Sequence, residues 1–207
     1  MKTFITYISR QKGEGLLGGI YRADSNDRLQ MNTAVHFPMV TMLHGYVEQD
    51  EEVRVLILYG EDNMEYESNR KVLEADIQAL QKEKPFRYTL VPVAISEEET
   101  ALEHLKAFTK LLELIEDGDE LYVCCTYGSK PTPIVEMMAI NTAYRLKKDV
   151  SIGCLIYGRV EHNKDPKKFY VYDITSLFYM IQIVSQLENN RISNPEDAIR
   201  AILEPGE

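Results

Sequence analysis

The sequence predicts an α/β fold: a mostly parallel sheet with helices on both faces and an antiparallel strand pair near its C-terminal end. Three observations predict it. Short apolar runs of strand length alternate along the chain with longer runs of helical period. Residues 53–59 (VRVLILY) are apolar almost throughout, as a strand buried on both faces of a parallel sheet must be. Residues 122–138 (YVCCTYGSKPTPIVEMM) empty a buried strand into a small polar loop and then start a helix, the order found where a parallel strand passes into its crossover.

The elements follow in order. Residues 2–9 (KTFITYIS) read as the first strand, which runs into a glycine-rich, partly basic loop at 10–19 (RQKGEGLLGG). A helical pattern is expected around 35–43, and the 53–59 strand ends at Gly60. Val72, Leu73, Ile77 and Leu80 stand at helical spacing within 63–80, and residues 87–95 alternate as a third strand. Leu102, Leu105, Phe108, Leu111, Leu112 and Ile115 mark an amphipathic helix that Gly118 ends. After the 122–138 segment come a strand at 150–158, a polar turn at 161–168 and a short strand at 169–172, which pairs antiparallel with its predecessor. Thr175 precedes Leu177, Phe178, Ile181 and Val184, read as a last core helix, and Asn194-Pro195-Glu196-Asp197 caps a short helix ending near Leu203. The expected division is a domain over 1–190 and a helical tail or linker over 191–207.

Composition narrows the function. The 207 residues, 44% hydrophobic, suffice for a substantial core. A net charge of −10 and a pI near 5.0 oppose broad binding to DNA, RNA or anionic membrane, which need a basic face. Cys124, Cys125 and Cys154 sit inside apolar runs without a C-x-x-C pair, so they read as reduced core residues. His36, His44, His104 and His162 lack ligand spacing, and neither a metal nor a cofactor is expected. No signal-peptide pattern opens the sequence and no apolar run reaches a membrane span, which predicts a soluble cytoplasmic protein with no membrane partner.

The loop at 126–133 has the chemistry of an anion site. Gly128 permits close backbone approach, and Ser129 and Thr132 are candidate helix caps. Early prolines suit a first helical turn whose remaining amides attract phosphate. Lys130 and the hydroxyls of Thr126, Ser129 and Thr132 add charge and hydrogen bonds. The segment lacks P-loop spacing, and the first loop lacks G-x-G-x-x-G. Ligands of such sheets bind beyond the carboxyl ends of strands where strand order reverses. Adjacency of the first strand to the 122–125 strand would bring loops 9–19 and 126–133 together there.

With these residues in place, the chain resembles the CRISPR-associated Rossmann fold (CARF) domains, which sense cyclic oligoadenylates in type III CRISPR immunity. Residues 124–134 (CCTYGSKPTPI) resemble the family's strand-end pattern of aspartate, a hydrophobic residue, threonine, histidine, glycine, a bulky residue and arginine, before a proline-bearing helix start. Residues 172–178 (YDITSLF) are similar to its late segment, where an aspartate and a threonine introduce a helix; here Asp173 and Thr175 read as a cap. Cys124 departs from the acidic residue, Tyr127 from the histidine, and Lys130 stands close to the arginine. Lysine holds phosphate as a point charge, without arginine's bidentate orientation.

The resemblance implies a Rossmann-like homodimer that holds one two-fold-symmetric cyclic oligoadenylate across its interface, cA4 favoured over cA6. It implies ligand contacts from Ser9, Arg10, Gln11, Thr126, Tyr127, Gly128, Ser129 and Lys130. The chain is then either the sensory part of a longer effector or a stand-alone ring nuclease; the effector signature of arginine and histidine four to six residues apart is missing. Ring cleavage would be metal-independent, by ribose 2′-hydroxyl attack, with Lys130 stabilising the transition state and Ser9, Arg10 or Ser129 orienting the reacting groups. Neither loop holds a histidine to act as base, which implies slow cleavage. The other readings are a nucleotide- or phosphometabolite-dependent Rossmann-like enzyme and a purely structural dimerisation module.

Overall fold

Seven strands, β1 (Lys2–Tyr7), β2 (Tyr21–Asp24), β3 (Glu52–Gly60), β4 (Arg87–Ile95), β5 (Glu120–Cys124), β6 (Ser151–Glu161) and β7 (Lys168–Asp173), form one sheet in a computed structural model that describes residues 1–203. Their spatial order is β2-β7-β6-β5-β1-β3-β4. Every neighbouring pair is parallel except β6 and β7, which are antiparallel as expected. From β1 the sheet grows outward through β3 and β4, and the chain then returns to β5 and grows the other way through β6. The direction therefore reverses between β1 and β5, which pair from Lys2 with Glu120 to Thr6 with Cys124.

Helices α1 (Met39–Tyr46), α2 (Tyr66–Glu83), α3 (Ala101–Leu114) and α4 (Thr132–Leu146) complete the first of two units, Met1–Ile174. Strand alternation sorts the core. Phe4, Val53, Val55, Ile57 and Tyr122 cluster with Met39, Met42 and Leu43 of α1 and Leu73 and Ile77 of α2. Ile5, Leu56, Leu58, Leu121 and Val123 are buried toward the opposite face, and α3 and α4 contribute buried Ala107, Leu111, Ala139, Ile140 and Ala143. All three cysteines are buried, and they form no disulfide with one another.

Local chemistry explains where the elements depart from expectation. The helix expected around 35–43 begins only at Met39, because Pro38 disfavours helical backbone at Phe37 directly before it. Val35 instead bridges Gly19 in antiparallel fashion. The four-residue edge strand β2 was not expected; it is too short to show a period. At α4, neither Ser129 nor Thr132 caps with its side chain, and Pro131 occupies the cap position.

The second unit begins at Thr175. It holds α5 (Thr175–Asn189) and α6 (Pro195–Leu203), the latter matching the expected terminal helix. The last core helix is a core element in one residue: Phe178 is buried, whereas Leu177, Ile181 and Val184 are exposed. Residues 204–207, part of the expected tail or linker, lie outside the described residues.

Candidate functional site

A cleft of about 390 Å³ opens at the carboxyl end of the sheet over the β1/β5 reversal. Ser9, Arg10 and Gln11 reach it from the end of β1, and Thr126, Tyr127, Gly128 and Ser129 from the end of β5. The two loops meet because their strands are neighbours. Of the eight residues implied as ligand contacts, Lys130 alone is missing from the wall; it is exposed on the turn before α4 and makes no ion pair among the described residues.

Each loop is held by specific bonds. Buried Asn69 of α2 donates to the carbonyls of Ser9 at 2.8 Å and Gln11 at 2.9 Å. The Ser9 hydroxyl, almost fully buried, accepts from the Gln11 amide at 3.1 Å. On the other side the Thr126 hydroxyl accepts from the Gly158 amide at 2.9 Å, tying the loop to β6. Tyr127 lines the cleft but is fixed from below: its hydroxyl donates to the His36 carbonyl at 3.1 Å and its ring meets Phe37 edge-on at 5.6 Å. Gly128 has φ +108, and a Cβ there would lie 2.8 Å from Thr132. Only glycine fits that bend.

The anion-binding amides are not where the sequence placed them. Pro131 and Pro133 have none, and the amides of Thr132, Ile134 and Val135 already donate to Ser129 or Pro131 at 3.0 Å. The unspent amides lie one step earlier. Those of Gly128, Ser129 and Lys130 make no hydrogen bond among the described residues. Successive free amides in a turn form an anion-binding concavity, and the unpaired Lys130 ammonium follows directly on them.

The opposite wall is acidic. Ser96, Glu97, Glu98 and Glu99, after β4, line the cleft with Tyr7 and His104 of α3. Arg10 is ion-paired to Glu97 and, at 3.4 Å, to Asp62. Tyr7 donates to Glu97 at 3.3 Å, and burial pushes its hydroxyl pKa up. Gly60 makes room for this arrangement, since a Cβ there would collide with the Glu97 carboxylate. Three glutamates directly after a strand were the sequence signal for this wall. His104 gave no such signal, because it stands in an ordinary amphipathic helix.

Glu136, one turn into α4, is fully buried, and neither carboxylate oxygen has a hydrogen-bond partner. Burial pushes its carboxyl pKa up to about 8; the Cys125 thiol, a weak donor, opposes that only slightly. Burial likewise raises Cys124 to about 11 and Cys125 further, so both thiols stay protonated and unreactive at neutral pH. A neutral Glu136 also leaves the start of α4 free of a negative charge that would repel an anion. Among the described residues no group of three His, Cys, Asp or Glu side chains is placed to hold a metal, and no helix is long and apolar enough to cross a membrane.

Fold and cleft together define a doubly wound α/β protein with a ligand-sized cleft at its topological switch point. No protein-family model matches the chain, and no curated protein matches it in sequence.

Proposed function

We propose that this chain binds a cyclic oligoadenylate, cA4 in preference to cA6, as a homodimer in type III CRISPR antiviral defence, each protomer's cleft taking half of the ring. The observation that carries the reading is the meeting of the Ser9 to Gln11 and Thr126 to Ser129 segments over the β1/β5 reversal. The free amides of Gly128, Ser129 and Lys130 beside the unpaired Lys130 suit a phosphate. The cleft volume, about 390 Å³, lies in the range of small-ligand sites, roughly 300–1,000 Å³. Self-association is supported by α3 and α4, which expose Leu102, Leu105, Ile134 and Met138.

Ring opening is the activity this site suits. The ribose 2′-oxygen forms a bond to the adjacent phosphorus, the bond from phosphorus to the 5′-oxygen breaks, and a 2′,3′-cyclic phosphate and a 5′-hydroxyl result. His104 supplies in the cleft wall the imidazole that the loops lack, to take the 2′ proton and pass it to the departing 5′-oxygen; Ser9 orients the ribose and Lys130 steadies the phosphate charge.

One observation favours a second reading, a nucleotide-dependent enzyme. Asp62 follows β3, the strand next to β1, which is where dinucleotide-binding folds place the carboxylate that accepts ribose hydroxyls.

Thermal melting and light scattering with cA4, cA6, ADP and dinucleotides separate the readings. Stabilisation by cA4, at dimer mass and with one ring per two chains, is the expected result; a saturating ligand at about 100 times its Kd adds about 2.7 kcal/mol. Stabilisation by dinucleotide and not by either ring would transfer the site to the second reading. Chromatography of the incubated ring then tests cleavage, with His104→Ala expected to slow opening and leave binding intact.

A further inference from the structure

We propose that the binding surface continues past Tyr127 onto the outer half of the sheet, and that its phosphate-receiving end is formed by Arg159 and His162. A second cleft of about 270 Å³ adjoins the first and shares Gln11, Thr126 and Tyr127 with it. The strands explain why it exists. Pairing of β5 with β6 stops where Cys124 meets Ile156, but β6 runs on to Glu161, so residues 157–161 stand as a wall beyond the β5 loop. The bond from the Gly158 amide to the Thr126 hydroxyl locks that wall to the loop at 2.9 Å. Tyr157 and Arg159, two residues apart, share the exposed face of the strand.

Charge assigns the two ends. The first cleft presents Glu97, Glu98 and Glu99, and its one arginine, Arg10, is already paired to two carboxylates. The lining of the second cleft includes Arg159 and His162 and no acidic residue. The carboxylate facing Arg159 is Glu161 at 3.6 Å, a long pairing in which the Arg159 side chain stays 55% exposed and open to an incoming anion. Lys164 and Lys167 follow in the β6–β7 connection, against Asp165, and Lys168 opens β7. A ligand with more than one phosphate lies across the Tyr127 step, one phosphate on the amides of Gly128 to Lys130 and another at Arg159 and His162. For a cyclic oligoadenylate this orientation rests on the function proposed above; for phosphate itself it does not.

Isothermal titration with inorganic pyrophosphate and, separately, cA4 tests this on the full chain, its Arg159→Ala/His162→Ala variant, Arg159→Lys and Arg87→Ala, an exposed arginine at the start of β4. Pyrophosphate is expected to bind the unmodified chain, to lose at least tenfold in the double variant, and to keep most of its affinity in Arg159→Lys and Arg87→Ala. Absence of pyrophosphate binding, undiminished binding in the double variant, or an equal loss in Arg87→Ala would overturn the assignment. Pyrophosphate binding without cA4 binding would keep this site and remove the oligoadenylate reading.

Discussion

The Arg10 guanidinium is ion-paired with the Glu97 carboxylate across the mouth of the switch-point cleft, joining the loop after β1 to the loop after β4. The family resemblance implied a ligand contact for Arg10, and in the folded chain it has a carboxylate partner already. A phosphate reaching Arg10 must displace Glu97. The Arg10 side chain is 55% exposed, and pairs of that kind contribute about 0–1 kcal/mol. Displacement is therefore cheap but measurable.

Glu97→Gln removes the competing charge, and cA4 affinity is expected to rise about fivefold, the equivalent of 1 kcal/mol. The gain should shrink as salt is raised. Weaker binding in Glu97→Gln would mean that the carboxylate itself accepts ligand hydroxyls, as the nucleotide-enzyme reading requires.

Asn69→Ala tests the loop clamp. One side-chain amide satisfies two carbonyls, Ser9 and Gln11, and nothing else among the described hydrogen bonds replaces it. Leaving such groups unpaired costs about 1–3 kcal/mol. Denaturant unfolding is expected to show that loss, together with faster proteolysis within residues 9–15. A change below about 0.5 kcal/mol, the size of an ordinary surface substitution, would mean the clamp is dispensable.

Gly128→Ala separates backbone strain from crowding when set beside Gly13→Ala. Both glycines have positive φ, but nothing lies within 4 Å of a Cβ at Gly13, whereas Thr132 stands 2.8 Å from one at Gly128. Gly13→Ala should cost about 1–2 kcal/mol for the left-handed backbone, and Gly128→Ala more. Equal losses in melting experiments would show that Thr132 yields freely.

Much of the sheet was legible because its signals are local. The β3 run is apolar on both faces, and β4 was placed at its observed limits by alternation alone. The meeting of Ser9 with Thr126 followed from the reversal rule once β1 and β5 were neighbours, although sequence alone could not fix that adjacency. The acidic wall and His104 were not foreseen because they enter the cleft from β4 and α3, elements read only for their apolar faces. The exposed stripe of Leu177, Ile181 and Val184 was read as core because period reports amphipathicity and says nothing of what covers it. Glu136 was hidden for the opposite reason: a charged residue in a helix reads as solvent-facing until its neighbours are known.

Glu136 makes stability depend on pH in a direction opposite to that of a salt-bridged carboxylate. In the folded chain its carboxyl keeps a proton up to about pH 8, whereas the ordinary value for a glutamate is 4.5. Between those values the folded state holds a proton that the unfolded state has released, so stability falls as pH rises. The slope approaches 1.4 kcal/mol per pH unit while this group dominates, and the contribution is whole below about pH 4.5. Glu136→Gln keeps the shape and cannot ionise. It is expected to flatten the profile, to match the unmodified chain near pH 4.5 and to exceed it by roughly 4 kcal/mol at pH 8. Urea unfolding across that window measures both curves. Parallel curves would mean that the carboxyl finds water or a partner on ionising, and that the anion loop before α4 works next to a negative charge after all.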